Sequence, residues 1–150
     1  MQGVTPELAH WQPQGKPHPI GTEYIHVVTT EDFLLNGTIK GAAPLMMTTH
    51  AGKAGFSEPP PMGNRDDWAK RVKVDLDAAR TYARAVYSET DAYLASATDD
   101  ELTRPIDLSG LGFGKETVSF VFSLILLNVY CHSGEISCLK GLNGLQGYPG

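Results

Sequence analysis

The chain has few cysteines, no cluster of positive charge and no apolar segment at its N-terminus. Its two cysteines, Cys131 and Cys138, lie seven residues apart in one predicted helix. Their Cα atoms would be about 10.5 Å apart, which is beyond the reach of a disulfide. Free thiols suit a reducing compartment, and the N-terminus lacks the basic stretch and apolar run of a signal peptide. We therefore expect a cytoplasmic protein.

The chain also lacks a block of Lys and Arg, and its formal net charge is −5. Nucleic acids and anionic membranes are bound by basic surfaces, so we expect neither partner and keep a small-molecule ligand. The longest apolar run, residues 117–131, is shorter than the roughly 20 residues of a membrane span. Ser119, Ser123 and Asn128 also interrupt it. We expect this run to form a central helix of a soluble domain, buried on several sides.

The length and the apolar content indicate one globular domain. The 150 residues, 41% of them hydrophobic, are enough to bury a core. Apolar residues recur at three-to-four spacing in three stretches, which predicts helix A over 20–40, helix B over 64–97 and helix C over 115–142. Residues 1–19 are predicted to be an irregular lead-in, and the Pro- and Gly-rich residues 42–63 a loop. We predict a single all-α domain over 1–150 with very little strand.

Two histidines on separate predicted helices are the strongest candidates for chemistry. His26 lies on helix A and shares a face with Glu23, whereas His132 lies on helix C and shares a face with Asn128 and Glu135. Histidine is the commonest neutral metal ligand. Side chains that project inward from facing helices build the metal and catalytic sites of helical bundles. The spacing therefore predicts a site where the two histidines meet.

The partner of a buried histidine is left open by the sequence. An imidazole buried without a partner costs about 1–3 kcal/mol, and a metal, another polar side chain or a water molecule would satisfy it. A single histidine on an apolar helix face is more often a core or capping residue than a ligand. His10, His18 and His50 lie in predicted loops and are weaker candidates.

Two segments carry a resemblance to a known family. The stretch HPIGTEYIHVVTTEDFLLNG resembles the second helix of the DinB/YfiT-like superfamily, in which a histidine is followed shortly by an acid. The stretch NVYCHSGEISCLKGLNGLQGYPG resembles the last helix, with the pattern H-x-x-x-H, then G-[EQ]-I and a Gly-rich ending. The resemblance runs from about Thr5 to the end of the chain. It implies an antiparallel helical bundle, commonly a homodimer, with a divalent metal held by three histidines.

The resemblance assigns three positions to the metal. His26 matches the ligand of the second helix, His132 matches the second histidine of H-x-x-x-H, and the first histidine of that motif falls on Asn128. An amide oxygen is a poorer ligand than imidazole for Zn²⁺ or Ni²⁺. Either His26, Asn128 and His132 hold one divalent metal (Zn, Ni or Mn) weakly, or a metal-free pocket keeps the same geometry. Glu23 and Glu31 are candidates for the acid that orients a ligand histidine.

A second departure from the family lies at the N-terminus. Members carry a long first helix before the segment that matches VTPELAHWQP, and this chain starts at about that segment. Three long helices remain where four are expected, so the first is missing or shortened. A long uncovered apolar stripe favours association, and we expect a homodimer.

The family resemblance leaves the reaction unassigned. It implies a metal-dependent hydrolase or a transferase that uses a low-molecular-weight thiol, acting on a small molecule. The alternative is a non-catalytic dimeric bundle or small-ligand binder that has lost its metal, because Asn128 replaces a ligand histidine. In a third interpretation, both histidines are core groups and no site exists.

Overall fold

Helix α2, which spans Ile20–Asp32, is the central element of the fold. The structure is a computed structural model that describes residues 1–148. In chain order its elements are α1 Pro6–Ala9, α2 Ile20–Asp32, a π-helical segment Phe33–Ile39, a 3-10 turn Leu45–Met47, α3 Asp66–Arg71, α4 Leu76–Ser96, α5 Asp99–Thr103, β1 Pro105–Asp107, a 3-10 turn Ser109–Leu111, β2 Lys115–Thr117 and α6 Val118–Leu142. Helix α2 packs against α1, α4 and α6, which explains why ten of its residues are buried.

Predicted helix A corresponds to α2 and the π-helical segment that continues it. The helix begins after Pro19, which cannot donate a backbone hydrogen bond and therefore suits a helix start. It ends at Lys40, and Gly41 follows with a left-handed φ of +63°, the conformation that commonly terminates a helix. The α2 side chains from Glu23 to Asp32 are thereby presented to α4 on one side and α6 on the other.

Predicted helix B is wrong as a single element. It is divided into α3 and α4, because residues 72–75 are not helical and Val74 forms an antiparallel bridge with Phe56. Val72, Val74 and Leu76 are buried while the residues between them are exposed, which is the period-two pattern of a strand. Asp75 then caps α4 by accepting hydrogen bonds from the backbone N–H groups of the first turn.

The boundaries of the lead-in and of helix C also differ from the prediction. The lead-in contains the short helix α1, capped by the hydroxyl of Thr5. Residues 115–117 form β2, which pairs antiparallel with β1. Helix α6 therefore begins at Val118, where the Thr117 hydroxyl accepts from the Phe120 N–H. Strand content is very low, as predicted, with these two short strands in residues 1–148.

The prediction that helix C is buried on several sides is wrong. Val118, Val121 and Ile125 are buried in one cluster with Leu34, Leu35 and Ile39 of the π-helical segment. Leu126 and Leu127 are more than half exposed, at 56% and 59%. Helix α6 has the length and composition of a membrane span. One such helix is weak evidence for a membrane protein, and α6 packs along α2. The composition of an apolar helix does not reveal which face is covered.

Asp32 connects three parts of the fold. Its side chain is fully buried. Oδ1 accepts from Asn36 Nδ2 (2.8 Å) and Leu45 N (2.9 Å), and Oδ2 accepts from Met46 N (3.0 Å) and the Tyr82 hydroxyl (2.7 Å). Four donors satisfy the carboxylate, which fixes the start of the 42–63 loop against α2 and α4.

Candidate metal and ligand site

The structure brings His26 and His132 together. Their ring centroids are 4.8 Å apart and the ring planes are nearly perpendicular, at 89°. The contact forms because α2 and α6 lie side by side and each presents its histidine to the other.

Glu23 lies beneath this pair and is almost completely buried, with 3% exposure. Its Oε1 is 2.7 Å from His18 Nδ1, and its Oε2 is 2.8 Å from His132 Nδ1. The Oε2 contact does not have hydrogen-bond geometry, so this buried oxygen has no hydrogen-bond partner. Buried polar atoms without a partner are rare and call for an explanation.

Glu135 completes the acid group around His132. It lies one turn later on α6, is exposed, and its Oε2 is 2.6 Å from His132 Nδ1. One ligand atom each from Glu23, His132 and Glu135 lies within 4.8 Å of the others. These atoms are close enough together to be ligands of one ion.

His18, a weaker candidate by sequence because it precedes the predicted helix, contacts the buried carboxylate of the site. It links Glu23 to Asp66, with Nδ1 2.7 Å from Glu23 Oε1 and Nε2 2.9 Å from Asp66 Oδ1. The available signal was its position directly before Pro19 at the start of α2, close to Glu23. Asp66 begins α3 and is remote in sequence, so no local pattern could have indicated this contact.

Arg65 was also missed, and it is the cation of the site. Its Nη1 is 3.6 Å from Glu23 Oε2, and Nη1 is buried without a hydrogen-bond partner. Arg65 follows the predicted 42–63 loop, and the path of that loop, rather than any helix periodicity, determines where it lies.

Charges and burial shift the pKa values of the two histidines in opposite directions. Burial lowers the pKa of His26 to about 4, and the nearby Arg65 and His132 lower it further than Glu23 raises it. The contact with Glu23 raises the pKa of His132 against the effect of its burial, and Glu135 adds to the rise. His26 is therefore neutral near pH 7 and keeps a free lone pair, which is the form that binds metals.

Glu23 is held in its charged form. Burial on its own would raise the pKa of this carboxyl, but His132, Arg65 and His18 together lower it to about 2. A carboxylate that stays ionised, with one oxygen free of hydrogen bonds, is a ready electron-pair donor.

Two cavities open on either side of this group. The first, about 370 Å³, is lined by His26 and Arg65 together with side chains of the π-helical segment, α6 and the 42–63 loop. The second, about 520 Å³, is lined by Glu23, Arg65 and Glu135. Arg65 borders both cavities, and both volumes are in the range of small-molecule sites.

Comparisons with known proteins agree with this architecture. The family model described as the DinB superfamily matches residues 1–136. The chain belongs to the DinB superfamily. The fold is similar to that of the "conserved protein of locus from Enterococcus faecalis", whose crystal structure aligns with a TM-score of 0.76 and 18% identity over 91% of this chain and 82% of that one. No curated protein matches the chain.

The DinB resemblance assigned the ligand role to Asn128 as well as to His26 and His132. In the structure Asn128 is half-buried, one turn before His132, and its side chain makes no hydrogen bond within residues 1–148. The acids that approach His132 are Glu23 and Glu135. In this DinB protein, two carboxylates therefore contact His132.

Glu31 was expected to support the histidines, and the structure places it elsewhere. Its carboxylate accepts a hydrogen bond from Thr90 of α4. Burial raises the pKa of Glu31, and Asp91 and Asp32 contribute to the rise. Of the two candidate acids, Glu23 contacts His132, whereas Glu31 is hydrogen-bonded to α4.

Proposed function

We propose that this DinB protein binds one divalent metal through His26, His132 and Glu23 and acts on a small molecule beside it. The observation that supports this most directly is the Oε2 of Glu23, which is buried, charged and without a hydrogen-bond partner. Two imidazoles and a carboxylate form a donor set that suits Zn, Ni or Mn. Asn128 and Glu135 are the further donors on α6.

Each side chain has a separate task in this proposal. His26 offers a neutral imidazole, and the Thr30 hydroxyl, 3.3 Å from Nδ1, orients its ring. His18 holds Oε1 of Glu23, which leaves Oε2 for the ion. A bound divalent metal supplies Lewis acidity that lowers the pKa of a water or thiol, the chemistry of the hydrolase and thiol-transferase reactions that we propose. A low-molecular-weight thiol would be the co-substrate of the transferase reaction.

Metal content tests the proposal. We expect about one Zn, Ni or Mn per chain by elemental analysis of protein purified without a histidine tag or chelator. His26→Ala and His132→Ala should lose most of this metal, whereas His50→Ala, a change in a histidine outside the group, should keep it. Normal metal content in both site variants would reject the proposal.

A second candidate function is a metal-free binder of small molecules. Two observations favour it: Asn128 stands at the motif position of a ligand histidine, and the Arg65 cation is already 3.6 Å from Glu23 Oε2. In this case the wild type takes up little metal during titration and Asn128→His gains affinity for it. Stoichiometric metal in the wild-type protein would exclude this function.

We further propose that the partner of this chain is a second copy of itself. Leu126, Leu127 and Tyr130 lie together on α6 and are 56–73% exposed, and exposed apolar patches mark interaction surfaces. Light scattering should give the mass of a dimer, and Leu127→Lys should reduce it to that of a monomer. A monomeric wild type would reject this partner.

A further inference from the structure

We propose that the cavity beside His26 binds an apolar monocarboxylate and that Arg65 receives its carboxylate group. This inference deepens the proposed function by naming the substrate class. It rests on that function only for the statement that the bound molecule is a substrate, because binding in the cavity needs no metal.

The walls of the cavity are mainly apolar. Phe33, Leu34, Met46, Leu124 and Phe113 line most of its 370 Å³, with prolines and Met62 of the 42–63 loop at the edge. Apolar walls with few polar groups are typical of sites that take an aromatic or aliphatic body and orient it through one or two polar contacts.

The polar groups of the wall are few and mostly engaged. The Thr29 hydroxyl donates to Ile25 O at 2.8 Å, and the Thr30 hydroxyl contacts His26 Nδ1 at 3.3 Å. Among the residues that line this cavity, Arg65 is the charged one.

Arg65 has a buried donor without an acceptor, its Nη1. Its side chain is only 14% exposed, and it makes no hydrogen bond to any residue in the described 1–148 range. A guanidinium has five N–H donors, and the nearest carboxylate oxygen, Glu23 Oε2, is beyond hydrogen-bond distance at 3.6 Å. A planar fork of donors fits a carboxylate through two parallel hydrogen bonds.

A ligand with a small negative charge suits this end of the cavity. Arg65 contributes a single positive charge, and Glu23 Oε2 lies 3.6 Å from its Nη1. Glu23 repels any anion bound at Arg65, and it repels a phosphate dianion more strongly than a monocarboxylate. The apolar body would extend from Arg65 past His26, between the π-helical segment and Leu124.

The first test uses two probes of the same shape on metal-free protein. Calorimetric titration after chelator treatment should show binding of 4-phenylbutyrate and at least tenfold weaker binding of its uncharged amide, 4-phenylbutanamide. Equal affinity for acid and amide, or no binding of either, would overturn the proposal. This comparison needs no variant, so it stands even if changes at Arg65 impair folding.

Variants then locate the site. Arg65→Gln should weaken 4-phenylbutyrate binding about tenfold to hundredfold, the range of charge-assisted hydrogen bonds, while Arg84→Gln on the exposed side of α4 should leave it unchanged. Leu124→Trp fills the proposed cavity and should abolish binding. Leu142→Trp alters the second cavity and should not. Loss of binding in Leu142→Trp alone would place the ligand in the second cavity and overturn the proposal.

The same protein separates this inference from the proposed function. Metal uptake that fails while 4-phenylbutyrate binds through Arg65 would reject the metal site and keep the carboxylate site. Metal uptake that succeeds while the acid and its amide bind equally would do the reverse.

Discussion

Two buried carboxylates on α2, Asp32 and Glu23, have opposite surroundings. Both are at most 3% exposed. Asp32 receives four hydrogen bonds, all from neutral donors, so no capacity of either oxygen is left for a ligand. Glu23 is surrounded by His18, His132 and Arg65, and one of its oxygens has no hydrogen bond. Burial alone does not distinguish the two acids, but the number of hydrogen bonds that each carboxylate accepts does. Asp32 is a structural residue, whereas Glu23 has one oxygen without a hydrogen bond.

The strongest way to break this comparison is Asp32→Ala. The change leaves two backbone N–H groups, an amide and a phenol buried without their acceptor, so we expect the free energy of unfolding to fall by about 3–5 kcal/mol. Urea denaturation measures it. Asp77→Ala, which removes an exposed carboxylate at the start of α4, should cost no more than about 0.5 kcal/mol. A loss at Asp32 as small as that at Asp77 would contradict the structural assignment.

Glu23→Gln tests the other half of the comparison. The amide keeps the shape of the side chain but removes its charge, and a neutral amide oxygen is a poorer ligand than a carboxylate, so metal affinity should fall by at least about tenfold. The free energy of unfolding should change less than in Asp32→Ala. Titration with Zn²⁺ measures the affinity. Glu31→Gln, the matched change on the opposite side of α2, should bind metal as the wild type does, and an equal loss in both variants would count against a ligand role for Glu23.

Tyr82→Phe removes one of the four hydrogen bonds to Asp32. Because three donors remain, we expect a loss of only about 1–2 kcal/mol in the free energy of unfolding and no change in metal content. Tyr87→Phe, at an exposed position on the same helix, serves as the control and should be close to neutral. If Tyr82→Phe were as harmful as Asp32→Ala, the four-donor account of Asp32 would be wrong.

The smallest effect concerns pH and separates Glu23 from Glu31. The pKa of Glu23 is about 2, below its ordinary 4.5, so its contribution to stability is present above pH 4.5 and is lost as the pH falls towards 2. The pKa of Glu31 is raised, so its contribution is present below pH 4.5 and is lost as the pH rises through its folded pKa. Carbon-13 NMR of the glutamate carboxyls should show the two titrating on opposite sides of 4.5. Coinciding titrations would contradict the contacts described here.

The elements of the site that lie on helices could be predicted from the sequence. The face shared by Glu23 and His26, and the face that carries His132, follow from helical spacing, and the family motif predicted that they belong together. His18 and Arg65 could not be predicted, because each is placed by a segment whose path depends on packing between distant residues. Only the three-dimensional arrangement shows that Arg65 approaches Glu23.

The errors in the fold have specific causes. Val72 and Leu76 are four residues apart and fit a helical stripe, but Val74 between them is also buried, and this alternation favours an extended segment. In α6, Leu126 and Leu127 looked like core residues because an apolar helix reads the same whether one face or several are covered. In both cases the local sequence pattern is compatible with two structures, and packing against residues distant in sequence determines which of them forms.

The contact between His26 and His132 joins the first long helix of the chain to the last. During synthesis, α2 leaves the ribosome long before α6. Glu23 and His26 therefore have no contact with His132 until α6 has been made and has docked. A metal bound there would be absent from every incomplete chain. Because such an ion favours only the native state, a concentration one hundred times its Kd would add about 2.7 kcal/mol to folding stability. A molecule that holds the metal would then be one in which α2 and α6 have already docked.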